Sequence, residues 1–488
     1  MRAEPSTYHP PQRHTFEYWL ARLAPWLAGL AFFALYAVTA APSLVTLFDD
    51  SLEFQLVLPT FAIAHPTGYP LYTLLGGFWS RVLFPFGNWA WRVNIFSALA
   101  GGGAVGFVFA VAQRLVNGGY AEGKQPNGGA PMGSRWIGLA AGAAAATGVR
   151  VFTATSSQGL LYAMEMLFTV AGWRVPFVLV NVSRAVAAPI TLEPDHTDIL
   201  AARDCGFLQI HCATCQEVLD SILIAYRVAE DPRVRLPIIV NLDGFTLSFT
   251  REPVVIPEAA AVRAFLPAFD PGAHAFRSGR SASQAVAVLG GSPYSYFRYE
   301  MHLAALEALS VYTNAARAFE LQFGRAWPVV EAYRVDDAEI VFVMIGAFAT
   351  KAREAVDRLR DAGERVGLVR PRLLRPFPQA SLRTLLGSRR AVVVIDQNLS
   401  MGAGGVLHTE ISAALFGLSN APIVLGFIGA LGGRDIAGEE LYEMVRVARQ
   451  AIASGVAPPP RLLYRASELE SLRRLQAIAN EAGEGAQP

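Results

Sequence analysis

The chain has 488 residues, enough for about three domains at roughly 150 residues each, with 53% hydrophobic and only 17% charged residues. Its formal net charge is +1, so no global field recruits nucleic acid or acidic partners, and three cysteines exclude a disulfide-stapled secreted framework. The mean hydropathy of +0.33 is high for a soluble protein, and its distribution along the chain changes near residue 148.

The segment 1–116 reads as a membrane segment. Residues 23–41 carry no charge and reach the roughly 20 apolar positions that a span needs. A second apolar run, rich in Gly and Ala, covers 93–115. The first run does not fit a signal peptide, because Asp49, Asp50 and Glu53 follow where small residues would stand. Arg2, Arg13 and Arg22 precede the first run, Arg114, Lys124 and Arg135 follow the second, and no Lys or Arg lies between Arg22 and Arg81. The positive-inside rule then predicts two spans in the cell inner membrane, with the N-terminus and the large C-terminal portion cytoplasmic. If the N-terminal segment is an accident of fusion, the chain is cytoplasmic instead. Residues 42–90 become an external loop, with an interfacial helix at 70–86.

Phe48-Asp49-Asp50-Ser51-Leu52-Glu53-Phe54 opens that loop, and Ala64-His65-Pro66-Thr67-Gly68-Tyr69-Pro70-Leu71 follows. Acids at a membrane face can bind a divalent cation or act as a base on a hydroxyl; they can equally mark the aqueous side of a span. The two strings resemble the N-terminus of a prokaryotic membrane family related to protein O-mannosyltransferases, over about residues 20–115. Those are GT-C glycosyltransferases that use lipid-linked sugar donors. The resemblance implies a catalytic acid in this loop, Asp50, with Asp49 or Glu53 as neighbours. Such enzymes need many more spans than two, so transferase activity is not expected of this chain.

Residues 117–135 are Gly-, Pro- and Asn-rich and read as a linker. The run 136–148 is too short to span and fits either the opening of a further span or a helix in a soluble core. From residue 150 onward, apolar strands are predicted at 177–182, 236–242, 340–345, 366–369, 391–396 and 423–428. Helices are predicted between them at 216–230, 350–362, 407–415 and 439–453. That alternation predicts parallel sheets in two α/β units, 137–255 and 335–460. They are joined by a connecting segment, 256–334, of which 259–295 lacks this regularity, and followed by a tail, 461–488.

The motifs in this second part carry a further resemblance. Val151-Phe152-Thr153-Ala154-Thr155-Ser156-Ser157-Gln158-Gly159-Leu160 comes first, then Asn181-Val182-Ser183-Arg184-Ala185, Asp195-His196-Thr197-Asp198, Asp243-Gly244-Phe245, Arg375-Pro376-Phe377-Pro378 and Gly432-Gly433-Arg434-Asp435. Over about 148–460 this ordered set resembles the α subunit of pyruvate (2-oxoacid):ferredoxin oxidoreductases. The resemblance implies an α/β fold class: a partial thiamine-diphosphate pyrimidine-type domain plus a transketolase C-terminal-like domain, here preceded by the helical membrane segment. It implies oxidative decarboxylation of a 2-oxoacid to an acyl-CoA, with electrons passed to ferredoxin. Thiamine diphosphate and Mg2+ are then shared with a β subunit. Iron–sulfur clusters and coenzyme A belong to the assembled complex, with β, γ and ferredoxin-like δ subunits as partners.

A 2-oxoacid must be held by its carboxylate, and a guanidinium fork does this bidentately. Arg184 follows a predicted strand, at the carboxyl end where open α/β sheets place ligands, and by resemblance it is the substrate-carboxylate arginine. Thr153, Thr155, Ser156, Ser157, Gln158 and Gly159 are suited to lining a cofactor pocket, and serve equally as a helix N-cap cluster. Asp195, His196 and Asp198 read as structural or subunit-contact residues rather than as a base or metal site. Cys205, Cys212 and Cys215 read as core residues, with no metal expected. Met401-Gly402-Ala403-Gly404-Gly405 is a weak match to a phosphate-binding loop.

The family's first half of the pyrimidine domain, with the glutamate that hydrogen-bonds the cofactor's aminopyrimidine, has no counterpart in residues 1–148. The chain therefore reads as a fusion of two partial sequences, inactive when isolated. Which 2-oxoacid is used stays open.

Overall fold

The computed structural model describes residues 15–44, 49–62, 70–84, 86–118, 142, 144–187, 189, 191–271, 285–287 and 291–484. The chain divides into two compact units, 1–129 and 130–488.

The N-terminal unit is helical, with helices Thr15–Thr39, Asp49–Thr60, Pro70–Val82 and Trp89–Gly118. The first and last of these pack through glycines: a Cβ on Gly102 would stand 2.7 Å from Gly29 O, and one on Gly106 would stand 2.8 Å from Pro25 O. Small residues let two apolar helices approach backbone to backbone, as in membrane helix pairs. Trp89–Ala110 is a 22-residue apolar stretch long enough to cross a membrane, while the described apolar part of the first helix, Leu23–Thr39, is shorter. The segment expected as an external loop carries two helices, one of them covering most of the expected interfacial stretch. Arg92, almost wholly buried, donates to Phe86 O at 2.7 Å and Gly87 O at 2.8 Å and so ties the turn before the last helix.

The second unit contains two sheets. The first has strands β1 (Phe152–Ser156), β2 (Val178–Ser183), β3 (Leu208–His211) and β4 (Ile238–Asp243). Its order is β1-β2-β4-β3, all parallel, as the alternating strand–helix pattern predicts. The second has β5 (Val330–Tyr333), β6 (Ile340–Val343), β7 (Val366–Pro371), β9 (Ala391–Asp396), β10 (Ile423–Ile428) and β11 (Arg461–Leu462). Its order is β11-β10-β9-β6-β7-β5, parallel except for β5 against β7. Strand β8 (Leu373–Arg375) leaves the second sheet and pairs antiparallel with β3 of the first.

The period-2 alternation of strands sorts the core. Val341, Val343, Val392 and Val394 face the first sheet and share one apolar cluster with Val178, Val180, Ile210 and Val240. Ile340, Phe342, Val393 and Ile395 face the other way, onto the helices Phe348–Asp361 and Gly438–Ser454. Every residue of β4, β7 and β9 is buried, and apolar residues dominate them, as in strands covered on both faces.

The connecting segment carries a 33-residue helix, Gly291–Phe323, which begins at the end of the stretch expected to be irregular and runs well beyond it. Met301, Ala304, Ala308, Val311, Tyr312, Ala315 and Phe319 are buried on one side of it, at helical spacing, and join the cluster between the sheets.

Candidate functional site

The carboxyl ends of β1, β2 and β4 lie side by side, and the sequence puts polar residues at each. Ser156 closes β1, Ser183 and Arg184 close β2, and Asp243 and Gly244 close β4. Arg184 is half-buried. Its Nε donates to Ser156 Oγ at 2.8 Å, and Ser156 Oγ donates to Val182 O at 2.8 Å. Both Nη atoms of Arg184 are left without a partner among the described residues, so the fork stays available to an anion. The aliphatic stem lies on Gly244, where a Cβ would stand 2.4 Å from Arg184 Cγ.

Ser157, expected as part of a pocket lining or an N-cap cluster, does not cap the helix it precedes. Its backbone sits at φ 47, ψ −113, an unfavourable region for a residue with a side chain, and its hydroxyl makes no cap bond. Instead Ser157 Oγ donates to Ala185 O at 2.8 Å and its N–H donates to Asp198 Oδ2 at 3.1 Å. The sharp strand-to-helix turn is thus pinned to the segment after β2. Thr153 and Thr155 lie on β1, with Thr155 Oγ1 packed against Gly159, and Gln158 Nε2 is buried without a partner.

Asp198 is structural. It accepts from Ser157 N, from Asn181 Nδ2 at 3.0 Å, from Ser183 Oγ at 2.5 Å and from Ile199 N at 2.7 Å. Burial pushes its carboxyl above the usual range, and the bonds from Ser183, Asn181 and Ile199 oppose that rise. His196 joins the two sheets: its Nε2 donates to Asp243 Oδ1 at 2.6 Å, and its backbone N donates to Gln397 O at 2.8 Å. Asp243 Oδ2 accepts from Ala347 N at 2.7 Å. Burial alone would lower the His196 pKa, but Asp243, with Asp195 and Asp198, carries it above the ordinary value. His211, whose ring lies 5.9 Å from that of His196, is held well below its ordinary value by burial, then by His196 and Arg370.

A second buried group, absent from the sequence expectations, lies behind this corner. Glu217 accepts from Arg370 at 3.1 Å and pairs with Arg372. Both arginines also reach Glu331, at 2.6 Å from Arg370 and 3.4 Å from Arg372. Burial raises the Glu217 pKa, but the two guanidiniums overcome it and leave it below the ordinary value. Thr214 accepts from Glu217 N at 3.1 Å and caps the helix Cys215–Ala229 that carries the acid. The T-x-x-E spacing of Thr214 and Glu217 was the available signal.

The cysteines are free: Cys205 and Cys212 are fully buried and Cys215 donates to Leu247 O at 3.5 Å. Burial pushes the Cys205 thiol up to about 12 and Cys215 up to about 11. The glycine loop before the helix Val406–Leu415 is closed from within. Asp396, at the end of β9, accepts from Leu407 N at 2.6 Å and His408 N at 3.0 Å, and Asn398 Oδ1 accepts from Val406 N at 3.0 Å. The helix start that would bind a phosphate already holds this chain's own carboxylate.

In the N-terminal unit, Asp49 and Asp50 begin the helix Asp49–Thr60, but their side-chain placement lies outside the described residues, as do residues 63–69 with His65, Gly68 and Tyr69. Glu53 is half-buried one turn further on. Most of the expected linker, 119–135, also lies outside the described residues.

At this corner the Arg184 guanidinium is tethered by Ser156 and its stem is backed by Gly244. Among the described residues no group of three His, Cys, Asp or Glu side chains is placed to hold a metal ion.

Residues 136–318 match the family described as pyruvate flavodoxin/ferredoxin oxidoreductase, thiamine diP-binding, and residues 338–441 match pyruvate:ferredoxin oxidoreductase core domain II. Residues 50–186 match the protein O-mannosyl-transferase TMEM260 N-terminal domain. The chain is 40% identical over 317 residues to pyruvate synthase subunit PorA of Pyrococcus abyssi, covering 65% of this chain and 80% of that one. It is 37% identical over 313 residues to ketoisovalerate oxidoreductase subunit VorA of Pyrococcus horikoshii, covering 64% of this chain and 79% of that one. A solved 2-oxoglutarate:ferredoxin oxidoreductase from Magnetococcus marinus is similar over 82% of this chain and 77% of that chain, at 16% identity and a TM-score of 0.47.

Proposed function

The chain belongs to the α subunits of the pyruvate (2-oxoacid):ferredoxin oxidoreductases, and from that premise we propose that its own contribution to the reaction is to hold the substrate carboxylate on Arg184. The observation that carries this is the free fork of Arg184 at the carboxyl end of β2, tethered through Nε alone. A carboxylate meeting two Nη donors gains a bidentate, charge-assisted pair in a half-buried setting. The relatives are named for pyruvate and for ketoisovalerate, and a pair on the carboxylate serves either. We place pyruvate first, since the pyruvate synthase subunit is the more similar of the two.

Thiamine diphosphate, when bound, supplies the decarboxylation chemistry. Its diphosphate and Mg2+ are assigned to a β subunit, as the resemblance to the family implies. Iron–sulfur clusters and coenzyme A are assigned to the assembled complex, with γ and ferredoxin-like δ subunits. The chain is therefore proposed to turn over only within that complex. In the complex, Arg184→Ala should lower kcat/KM for pyruvate on the order of a hundredfold, through loss of a pair contributing a few kcal/mol. An unchanged kcat/KM would remove Arg184 from the site.

A second proposal concerns attachment. The 22 apolar residues of Trp89–Ala110 are long enough to cross a bilayer, and 50–186 match a membrane-enzyme family's N-terminal domain. With the basic residues placed as they are, two spans would leave the oxidoreductase part in the cytoplasm. Reporter fusions at residues 60 and 260 should then report opposite sides of the inner membrane. The same side for both ends this reading.

A further inference from the structure

The carboxylate reading rests on one long side chain, and any role for the neighbours of that side chain rests on the same reading. An arginine serves a carboxylate only if its fork is aimed and stays aimed. A flexible stem half-exposed at a strand end does not hold itself, and fixing it costs rotamer entropy on each binding event. Here two neighbours hold it beforehand. On one side Gly244, after β4, lies flat against the stem, where any Cβ would stand 2.4 Å from Arg184 Cγ. On the other side Ser156, the last residue of β1, accepts from Nε at 2.8 Å.

The direction of the serine hydroxyl is fixed as well. Its proton goes to Val182 O at 2.8 Å, a carbonyl that cannot donate in return. The lone pairs are therefore left facing Nε, and no rotation is needed before the arginine bond forms. Ser157 cannot substitute, because its hydroxyl is committed to Ala185 O and its N–H to Asp198. We propose that Ser156 is a positioning residue for substrate binding: it does not touch the oxoacid, but it holds the Arg184 guanidinium at the carboxyl end of β2 through Nε and leaves both Nη atoms free.

The test uses the full chain assembled with its partner subunits and assayed with pyruvate. Ser156→Ala should raise KM for pyruvate about five- to tenfold, the size of one ordinary lost hydrogen bond. It should leave kcat at saturation, KM for coenzyme A and the melting temperature where they were. Ser156→Thr, which keeps the oxygen, should restore the pyruvate KM. In an Arg184→Ala background, Ser156→Ala should add nothing, because its only action runs through that side chain. The same fold-change with and without Arg184, or a coenzyme A KM that moves in step with that of pyruvate, would show a structural serine and overturn the proposal. A strongly affected Arg184→Ala beside an indifferent Ser156→Ala overturns this inference alone. An indifferent Arg184→Ala overturns the carboxylate reading and takes this inference with it.

Discussion

The first and second sheets are built alike and finished differently. Both are mainly parallel, both bury their central strands on two faces, and both present strand carboxyl ends to a crevice where α/β proteins place ligands. At the first sheet, the end of β2 carries a positive fork with free donors. At the second, the end of β9 carries Asp396, whose carboxylate is already taken up by the N–H groups of Leu407 and His408. A Cβ on Gly405 would fall 2.0 Å from that carboxylate, so the loop has closed onto its own acid. The same topology thus leaves a free guanidinium fork at the end of one sheet and closes the end of the other with the chain's own carboxyl group. Function follows the residues grafted at the strand ends and not the sheet that carries them.

The comparison requires that the two sheets stay in register, since His196, Asp243 and Ala347 connect the ends of both. The seam that keeps them so is Glu217 with Arg370 and Arg372, whose side chains are 1%, 4% and 1% exposed. Removing the acid leaves two buried guanidiniums sharing Glu331. Glu217→Ala should therefore destabilise the chain by about 3–5 kcal/mol, the penalty for an uncompensated buried charge. Glu354→Ala, which removes an exposed partner of Arg358, should have no measurable effect. Urea denaturation of the three proteins decides this. Equal midpoints would mean that the apolar core alone holds the sheets together.

Some of this architecture was legible in the sequence. β9 and β10 fall on the runs expected for them, and the helix Cys215–Ala229 falls within a residue of its expected limits, because buried parallel strands are continuous apolar runs and helices keep their period. β1 and β3 were not legible: Phe152–Ser156 is an edge strand of mixed polarity, and Leu208–His211 is four residues long and includes a buried Gln and a buried His. The long helix Gly291–Phe323 was missed although its buried positions keep a helical period, because its Gly-Ser-Pro-Tyr opening and interleaved tyrosines mask the stripe. In the candidate site, the motif pointed to Arg184, but neither its tether to Ser156 nor the approach of Gly244 can be read from spacing. Both come from strands β1 and β4 that are brought to either side of β2 by parallel crossovers. The closed glycine loop was likewise hidden, since the acid that fills it stands nine residues before Gly405 on a strand that reads as pure core.

The smallest expected effect tests the internal anion of the second sheet. Burial pushes the Asp396 carboxyl up to about 7, against the opposing bonds from Leu407 and His408. A carboxyl whose folded pKa lies above its unfolded value binds more protons folded than unfolded. Its contribution to stability is complete below the unfolded value, near 4, and is lost as pH rises through about 7. Asp396→Asn keeps an oxygen to accept from the helix start and removes the titration. The melting temperature of the unmodified chain should therefore fall by a few degrees more than that of Asp396→Asn between pH 5 and pH 8. Two parallel pH profiles would mean that Asp396 stays ionised across this range, fully satisfied by the helix it caps. The second sheet would then hold a permanent anion, and the contrast with the first would be one of charge at every pH and not only above neutrality.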